Sequence, residues 1–164
     1  MREITLSQGY AALIDAADYD EIAQFKWFAL VTPHTVYAMR TVILPEGGRT
    51  SEYMHRRLLP STKQVDHING NGLDNRRSNL RPATSAENVR NRSGLRAGNT
   101  SGFRGVIWEK SRSKWRAQIK VDGRNRYLGR FDDPAEAARL FDAAALELFG
   151  EFAGYLNFAN QDEP

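Results

Sequence analysis

At 164 residues with 41% hydrophobic content, the chain holds one domain or two small ones, and no apolar run reaches the roughly 18 residues of a membrane span. Cysteine is absent, which excludes disulfides and thiolate zinc sites; the opening Met1-Arg2-Glu3-Ile4-Thr5 also lacks a signal peptide's basic-then-apolar order, so an intracellular protein is expected. The net charge of +3 hides an asymmetry: residues 85–130 carry twelve Lys/Arg against three acids, residues 131–164 one against eight, and the first 84 residues ten against nine. Trp108, Trp115 and Tyr127 interleave the basic stretch, which fits a folded polyanion-binding surface better than a solvated tail.

In chain order, residues 1–50 read as short strands at 4–6, 11–15 and 35–40, with a single helical turn over 18–22 before Phe25-Lys26-Trp27-Phe28. They form a small scaffold with no recognisable chemistry, and His34 is assigned no role. Residues 51–59 suit a short helix ended by Pro60. Residues 65–68 are strand-like, Asn69-Gly70 and Asn71-Gly72 mark turns, and residues 79–81 begin a return strand. Thr84-Ser85-Ala86-Glu87 has capping-box spacing, which places Asn88 in the first turn of a helix. A helix packed across such a hairpin brings Asn88 back beside Asp66.

Residues 93–102 are rich in small and turn-forming residues and read as a linker. Strands are expected over 103–108, 114–121 and 126–131, with Asp122-Gly123 turning the chain between the last two. The final helix has Asp133 as N-cap, Pro134 at its first position, Glu136 at N3 and Gly150 as its stop. Ala137, Leu140, Phe141, Ala144, Leu148 and Phe149 share one face and should pack on the sheet, leaving its basic face free.

Hydrolysing a phosphodiester takes a base, charge neutralisation at the phosphate, and help for the leaving oxygen. His67 titrates near neutrality and can take a proton from water, while Asp66 and the carboxamide oxygen of Asn88 suit a hard cation. Asn79 can orient the imidazole. A calcium loop fits poorly, because no acid or amide follows Asp66 at the second position and none closes the loop at the twelfth. Asn69, Asn71 and Asn75 are assigned to turns alone.

Met54-His55-Arg56, Val65-Asp66-His67-Ile68-Asn69-Gly70-Asn71, Asp74-Asn75-Arg76-Arg77-Ser78-Asn79-Leu80-Arg81 and Ala86-Glu87-Asn88 together resemble an HNH endonuclease of the phage and homing type, over about residues 50–92. The resemblance implies a ββα-metal finger with His67 as general base and Asn79 as the central Asn that orients it. It also implies that Asp66 and Asn88 hold one divalent ion, magnesium or alternatively manganese. The third position is often a second His; here it is Asn88, as in the H-N-N variety. His55 either packs near the site or approaches the scissile phosphate with Arg56.

Arg104, Lys110, Arg112, Lys114, Arg116, Lys120, Arg124 and Arg126 dominate the strands and turns after the linker. Alternation puts Lys114, Arg116, Gln118 and Lys120 on one face and Trp115, Ala117, Ile119 and Val121 on the other. A face of this kind can enter a major groove, with Arg and Gln on base edges and Lys on phosphates. Phe103-Arg104-Gly105-Val106, Lys114-Trp115-Arg116-Ala117-Gln118-Ile119, Tyr127-Leu128-Gly129-Arg130-Phe131 and Leu156-Asn157-Phe158 resemble the plant ethylene-response-factor DNA-binding domain. That resemblance implies groove-facing places for Arg104, Gln118, Lys120 and Tyr127. Ile107 stands where the family commonly carries a base-reading Arg, and the turn over 109–113 differs, so the plant target sequence does not transfer.

The expectation is an α+β protein: an endonuclease domain over 1–92, with a scaffold to residue 50 and the finger from 51, a linker over 93–101, and a three-stranded sheet on one helix over 102–160. Its function would be metal-dependent cutting of double-stranded DNA at a preferred site, nicking as a monomer or breaking both strands as a weak dimer. The setting would be the cytoplasm of a bacterial host, from a phage gene, with no membrane partner. A non-catalytic, sequence-specific transcriptional regulator is the alternative.

Overall fold

The computed structural model describes residues 1–91, 94–95 and 97–158. The expected linker over 93–101 is therefore described only in part, and the expected domain ends at 92 and 160 lie outside the described residues. The chain forms two compact units, Met1–Val89 and the remainder from Arg90, the first mixing small antiparallel sheets with short helices and the second setting one antiparallel sheet against a longer helix.

In the first unit, β1 (Arg2–Thr5) and β2 (Ala11–Ile14) form a hairpin, followed by α1 (Tyr19–Ala23). A second antiparallel sheet holds β3 (Phe28–Val31), β4 (Val36–Ile43) and β5 (Arg49–Tyr53) in that order, and α2 (Met54–Leu58) follows. The helix expected over 51–59 thus starts only at Met54, because Ser51, Glu52 and Tyr53 pair with Thr41, Arg40 and Met39 of β4. Pairing with β4 gives these three residues ladder hydrogen bonds that one more turn at the start of a short helix would not supply. Ile14, Ile22, Trp27, Met54, Leu58, Val65 and Leu80 form the core of this unit.

The hairpin of β6 (Gln64–His67) and β7 (Leu80–Ala83) then leads into α3 (Ser85–Arg90). Glu87 Oε2 accepts from the Thr84 amide at 2.6 Å and Thr84 Oγ1 from the Glu87 amide at 3.3 Å, the reciprocal bonds of a capping box.

In the second unit β8 (Val106–Glu109), β9 (Lys114–Val121) and β10 (Arg124–Phe131) form an antiparallel sheet with β9 central, covered by α4 (Pro134–Phe149). Asp133 caps α4 by accepting from the Ala135 amide at 2.8 Å. The buried stripe of α4 is rotated from the expected one: Ala137 and Phe141 are buried with Ala138, Asp142 and Ala145, while Leu140 turns outward. Alanines allow close approach to the sheet, and the buried Asp142 carboxylate is satisfied by the amides of Asn157 (3.0 Å) and Phe158 (2.9 Å) and by Asn157 Nδ2 (2.9 Å).

The first strand starts at Val106 rather than 103, because Gly105 takes φ +76° and a Cβ there would lie 2.0 Å from the Phe141 ring. Part of the expected linker belongs to this unit as well: Asn99 Nδ2 donates to the Phe103 carbonyl at 2.8 Å and Ser101 Oγ to that of Val106 at 2.9 Å.

Candidate active site and nucleic-acid face

Side chains alternate along β6, so Val65 and His67 face the core while Gln64 and Asp66 face the other way. Asp66 lies opposite Arg81 in the hairpin register, and Arg81 Nε and Nη2 reach its Oδ2 at 3.0 and 2.9 Å. Both residues are buried. Asn88, on α3, donates from Nδ2 to Gln64 Oε1 at 2.9 Å, which lays the helix on the face of β6 that carries Asp66. The hard donors this arrangement offers a cation are the Asp66 carboxylate and the Asn88 carboxamide oxygen, whose amide nitrogen is taken by Gln64. Among the described residues, no group of three or more His, Cys, Asp and Glu could hold a metal ion.

His67 sits at the end of β6 against the scaffold. Its ring centroid is 5.9 Å from that of Tyr37 and 5.0 Å from that of His55, the latter edge to face, and Tyr53 stacks on His55 at 5.2 Å. Burial pushes the His67 imidazole below its ordinary pKa, against an upward pull from Asn75, Asp66 and Asp74. His55 is pushed down to about 3, first by burial and then by His67 and Arg56. Both rings are therefore neutral at neutral pH, as an acceptor of protons must be. His55 Nδ1 is buried without a hydrogen-bond partner, and Arg56 beside it is exposed.

The loop between the two strands shares out its carboxamides in a way the sequence did not announce. Asn79 exchanges bonds with Asn69, Oδ1 accepting from the Asn69 amide at 3.0 Å and Nδ2 donating to Asn69 Oδ1 at 3.0 Å, and Nδ2 also reaches the Asp74 carbonyl at 2.7 Å. It braces the loop. The carboxamide on the imidazole is that of Asn75, whose Oδ1 lies 3.3 Å from His67 Nε2. Asn75 is 0% exposed, and burial is what separates it from the otherwise equivalent Asn69 and Asn71.

Residues 1–50 hold this loop in place. Leu13 of β2 accepts from the Asn75 amide and donates to the Leu73 carbonyl, both at 2.8 Å. Arg77 grips the Asp18 carboxylate at 2.7 to 3.2 Å, and its amide donates to Asp15 Oδ2 at 2.8 Å. The Gly72 amide donates to Thr35 Oγ1 at 2.9 Å, and a Cβ at Gly72 would sit 2.5 Å from the Val36 carbonyl oxygen. The scaffold is thus one wall of the candidate site.

In the second unit, the register pairs Ile107 with Arg116, Glu109 with Lys114, Tyr127 with Gln118 and Asn125 with Lys120, all on the face away from α4. A bulge between Tyr127 and Gly129 shifts the parity of β10 and brings Arg130 opposite Arg116 on this same face. Glu109 holds Arg130 at 2.7 and 3.2 Å, and the guanidinium lies 4.9 Å over the Tyr127 ring. Arg116 donates to Gln118 Oε1 at 3.1 Å, and its Nε is buried without a partner. Sequence alternation missed Arg130 because one bulged residue reverses every later side chain.

The other basic residues are placed differently. Arg126 pairs with Ile119, on the α4 side of the sheet. Arg104 donates to the Tyr155 carbonyl at 3.0 Å, and Lys114 Nζ pairs with Asp132 at 2.5 Å. Lys110 and Arg112 lie in the 3-10 turn between β8 and β9, with Arg112 Nε 3.6 Å from Glu109 Oε1.

In the first unit a hairpin and the helix after it carry Asp66, His67 and Asn88, and the second unit presents one basic sheet face. The HNH endonuclease profile matches residues 52–90 and the AP2 domain profile residues 101–151. The chain is 34% identical over 97 residues to Protein 3.8 of Escherichia phage T7, covering 59% of this chain and 78% of that protein. It is 36% identical over 95 residues to an uncharacterized HNH endonuclease of Acanthamoeba polyphaga mimivirus, covering 58% of this chain but only 48% of that one. Over 61 residues it is 43% identical to Dehydration-responsive element-binding protein 1I of Oryza sativa subsp. japonica, covering 35% of this chain and 24% of the plant protein. No solved structure gives a significant match. The chain carries an HNH endonuclease domain and a C-terminal AP2 domain. Both domains bind DNA, and no helix among the described residues is long and apolar enough to cross a membrane.

Proposed function

We propose that the protein is a metal-dependent endonuclease that cuts double-stranded DNA at sites preferred by its AP2 sheet. The observation that carries this reading is the placement of Asp66 and His67 at the end of β6, with Asn88 of α3 bonded to the strand at Gln64. HNH nucleases generally use a divalent metal ion. Asp66 and Asn88 would hold it, in a ββα-metal finger formed by β6, β7 and α3, and oxygen donors suit magnesium, with manganese as a substitute. The ion would neutralise charge on the scissile phosphate and its leaving oxygen.

His67 takes the proton of the attacking water. Burial keeps its imidazole neutral and ready for that task. His55 meets the His67 ring edge to face and is buried, so it packs behind the base, while the exposed Arg56 beside it would be the one to approach the phosphate. Arg116, Gln118, Lys120, Tyr127 and Arg130 meet the DNA from the sheet, while Lys110 and Arg112, in the turn between β8 and β9, and Lys114, at the start of β9, would meet phosphates. One finger has one catalytic centre, so a monomer nicks a single strand, and a double-strand break takes a weak dimer or two binding events. Acting on DNA of a bacterial host from a phage gene is the setting in keeping with the T7 relative.

Supercoiled plasmid incubated with magnesium, with EDTA, and with the His67→Ala variant tests the proposal. Open-circle product should need both metal and His67, the variant losing roughly 10²- to 10⁴-fold in rate while its retention of DNA in gels stays near normal. Plasmid that is retarded but uncut across metals and DNA sources would instead support the transcriptional regulator.

A further inference from the structure

We infer that Asn75 is the positioning residue of the base: it fixes the tautomer of His67 with the proton on Nε2 and thereby leaves the lone pair on Nδ1. A carboxamide oxygen can only accept a hydrogen bond, so the 3.3 Å approach of Asn75 Oδ1 to His67 Nε2 calls for a proton on that nitrogen. The amide is not free to turn over. Its Nδ2 donates to the Gly72 carbonyl at 3.4 Å, and its backbone amide donates to the Leu13 carbonyl at 2.8 Å. In a neutral imidazole protonated on Nε2, Nδ1 is the basic atom.

Asn79 does not make this contact, since its carboxamide is spent on Asn69 and on the Asp74 carbonyl. The chain of support runs from β2 through Leu13 to Asn75 and then to the ring. This gives the N-terminal hairpin a part in the chemistry that its own residues do not supply. Solvent competes little for this contact, because Asn75 is 0% and His67 5% exposed. The preference for one tautomer is therefore not averaged out by solvent.

The inference rests on the endonuclease reading for its consequence, but the tautomer can be read without any cleavage. Long-range ¹⁵N–¹H correlation spectra of the full chain, in wild type, Asn75→Ala and Asn75→Asp, report which nitrogen of His67 carries the proton. The wild type should show the Nε2–H pattern, Asn75→Ala a mixture of both tautomers, and Asn75→Asp, whose carboxylate accepts the same bond, the wild-type pattern. In plasmid nicking, Asn75→Ala should lose roughly ten- to hundredfold in kcat with KM held, and Asn75→Asp should recover most of it. A wild-type proton on Nδ1, or an unchanged tautomer in Asn75→Ala, overturns the inference. If Asn75→Ala fails to fold, the wild-type and Asn75→Asp spectra decide alone. A wild type that cuts nothing would sink the nuclease reading and leave the tautomer question to the same spectra.

Discussion

The two polar surfaces of this protein are built on opposite plans. Around β6 the functional groups are buried and each is tied to a partner of fixed geometry: Asp66 to Arg81, His67 to Asn75, Asn79 to Asn69. On the AP2 sheet the cations lie at or near the surface, and the close pairs, Arg130 with Glu109 and Lys114 with Asp132, are partly solvent-accessible. On the endonuclease reading proposed above, the difference follows from the tasks. A base must be held in one tautomer and one place, at the expense of desolvation, whereas a groove-binding face must offer charge to a partner that arrives from solvent. Burial makes a site exact and fragile, while exposure makes it tolerant.

Breaking the buried pair should have the largest effect. Arg81→Ala leaves the Asp66 carboxylate buried without its cation and should destabilise the first unit by about 3–5 kcal/mol, read by urea unfolding with amide exchange to separate the two units. Arg130→Ala should leave the stability of the second unit unmoved and show itself only in DNA affinity. A first unit indifferent to the loss of Arg81 would undo the contrast.

Acid should act on the same side of the comparison. His55 has a folded pKa of about 3 against 6.5 when exposed, so the unfolded chain takes up its proton first as pH falls. The first unit is then at full stability above pH 6.5 and loses it as pH falls from 6.5 toward 3, by up to about 1.4 kcal/mol per pH unit from this one group. His67, also pushed down by burial, adds to the loss in the same direction. Unfolding midpoints across that range should fall more shallowly in His55→Phe than in the wild type, and parallel curves would remove His55 as the cause.

The smallest effects should come from single cations of the sheet, and they sharpen its register. Arg116→Ala, on the central strand, should weaken DNA binding by about 1–3 kcal/mol and flatten its salt dependence. Arg126→Ala should do less, because its partner Ile119 places it on the α4 side. Equal losses in fluorescence titrations over several salt concentrations would show that total charge, not the face, governs binding.

The amino-acid order by itself determined much of this. Spacing located the β6–β7 hairpin and put Asn88 on the helix after it. The capping box at Thr84 and Glu87 located the start of α3, and alternation along residues 114–121 separated a basic face from an apolar one. These signals are local: a cap and a strand's two faces are read from residues a few positions apart. Tertiary structure decided what depends on distant partners. Asn69, Asn71, Asn75 and Asn79 are the same residue in one polar loop, and only the closure of that loop on Leu13 of β2 puts Asn75, rather than another, on the imidazole. Ser51 to Tyr53 became strand because β4 was there to pair with them, and Arg130 joined the basic face because a bulge reversed the parity of β10. Long-range pairing chooses among locally equivalent residues, which is why those choices are absent from the residues themselves.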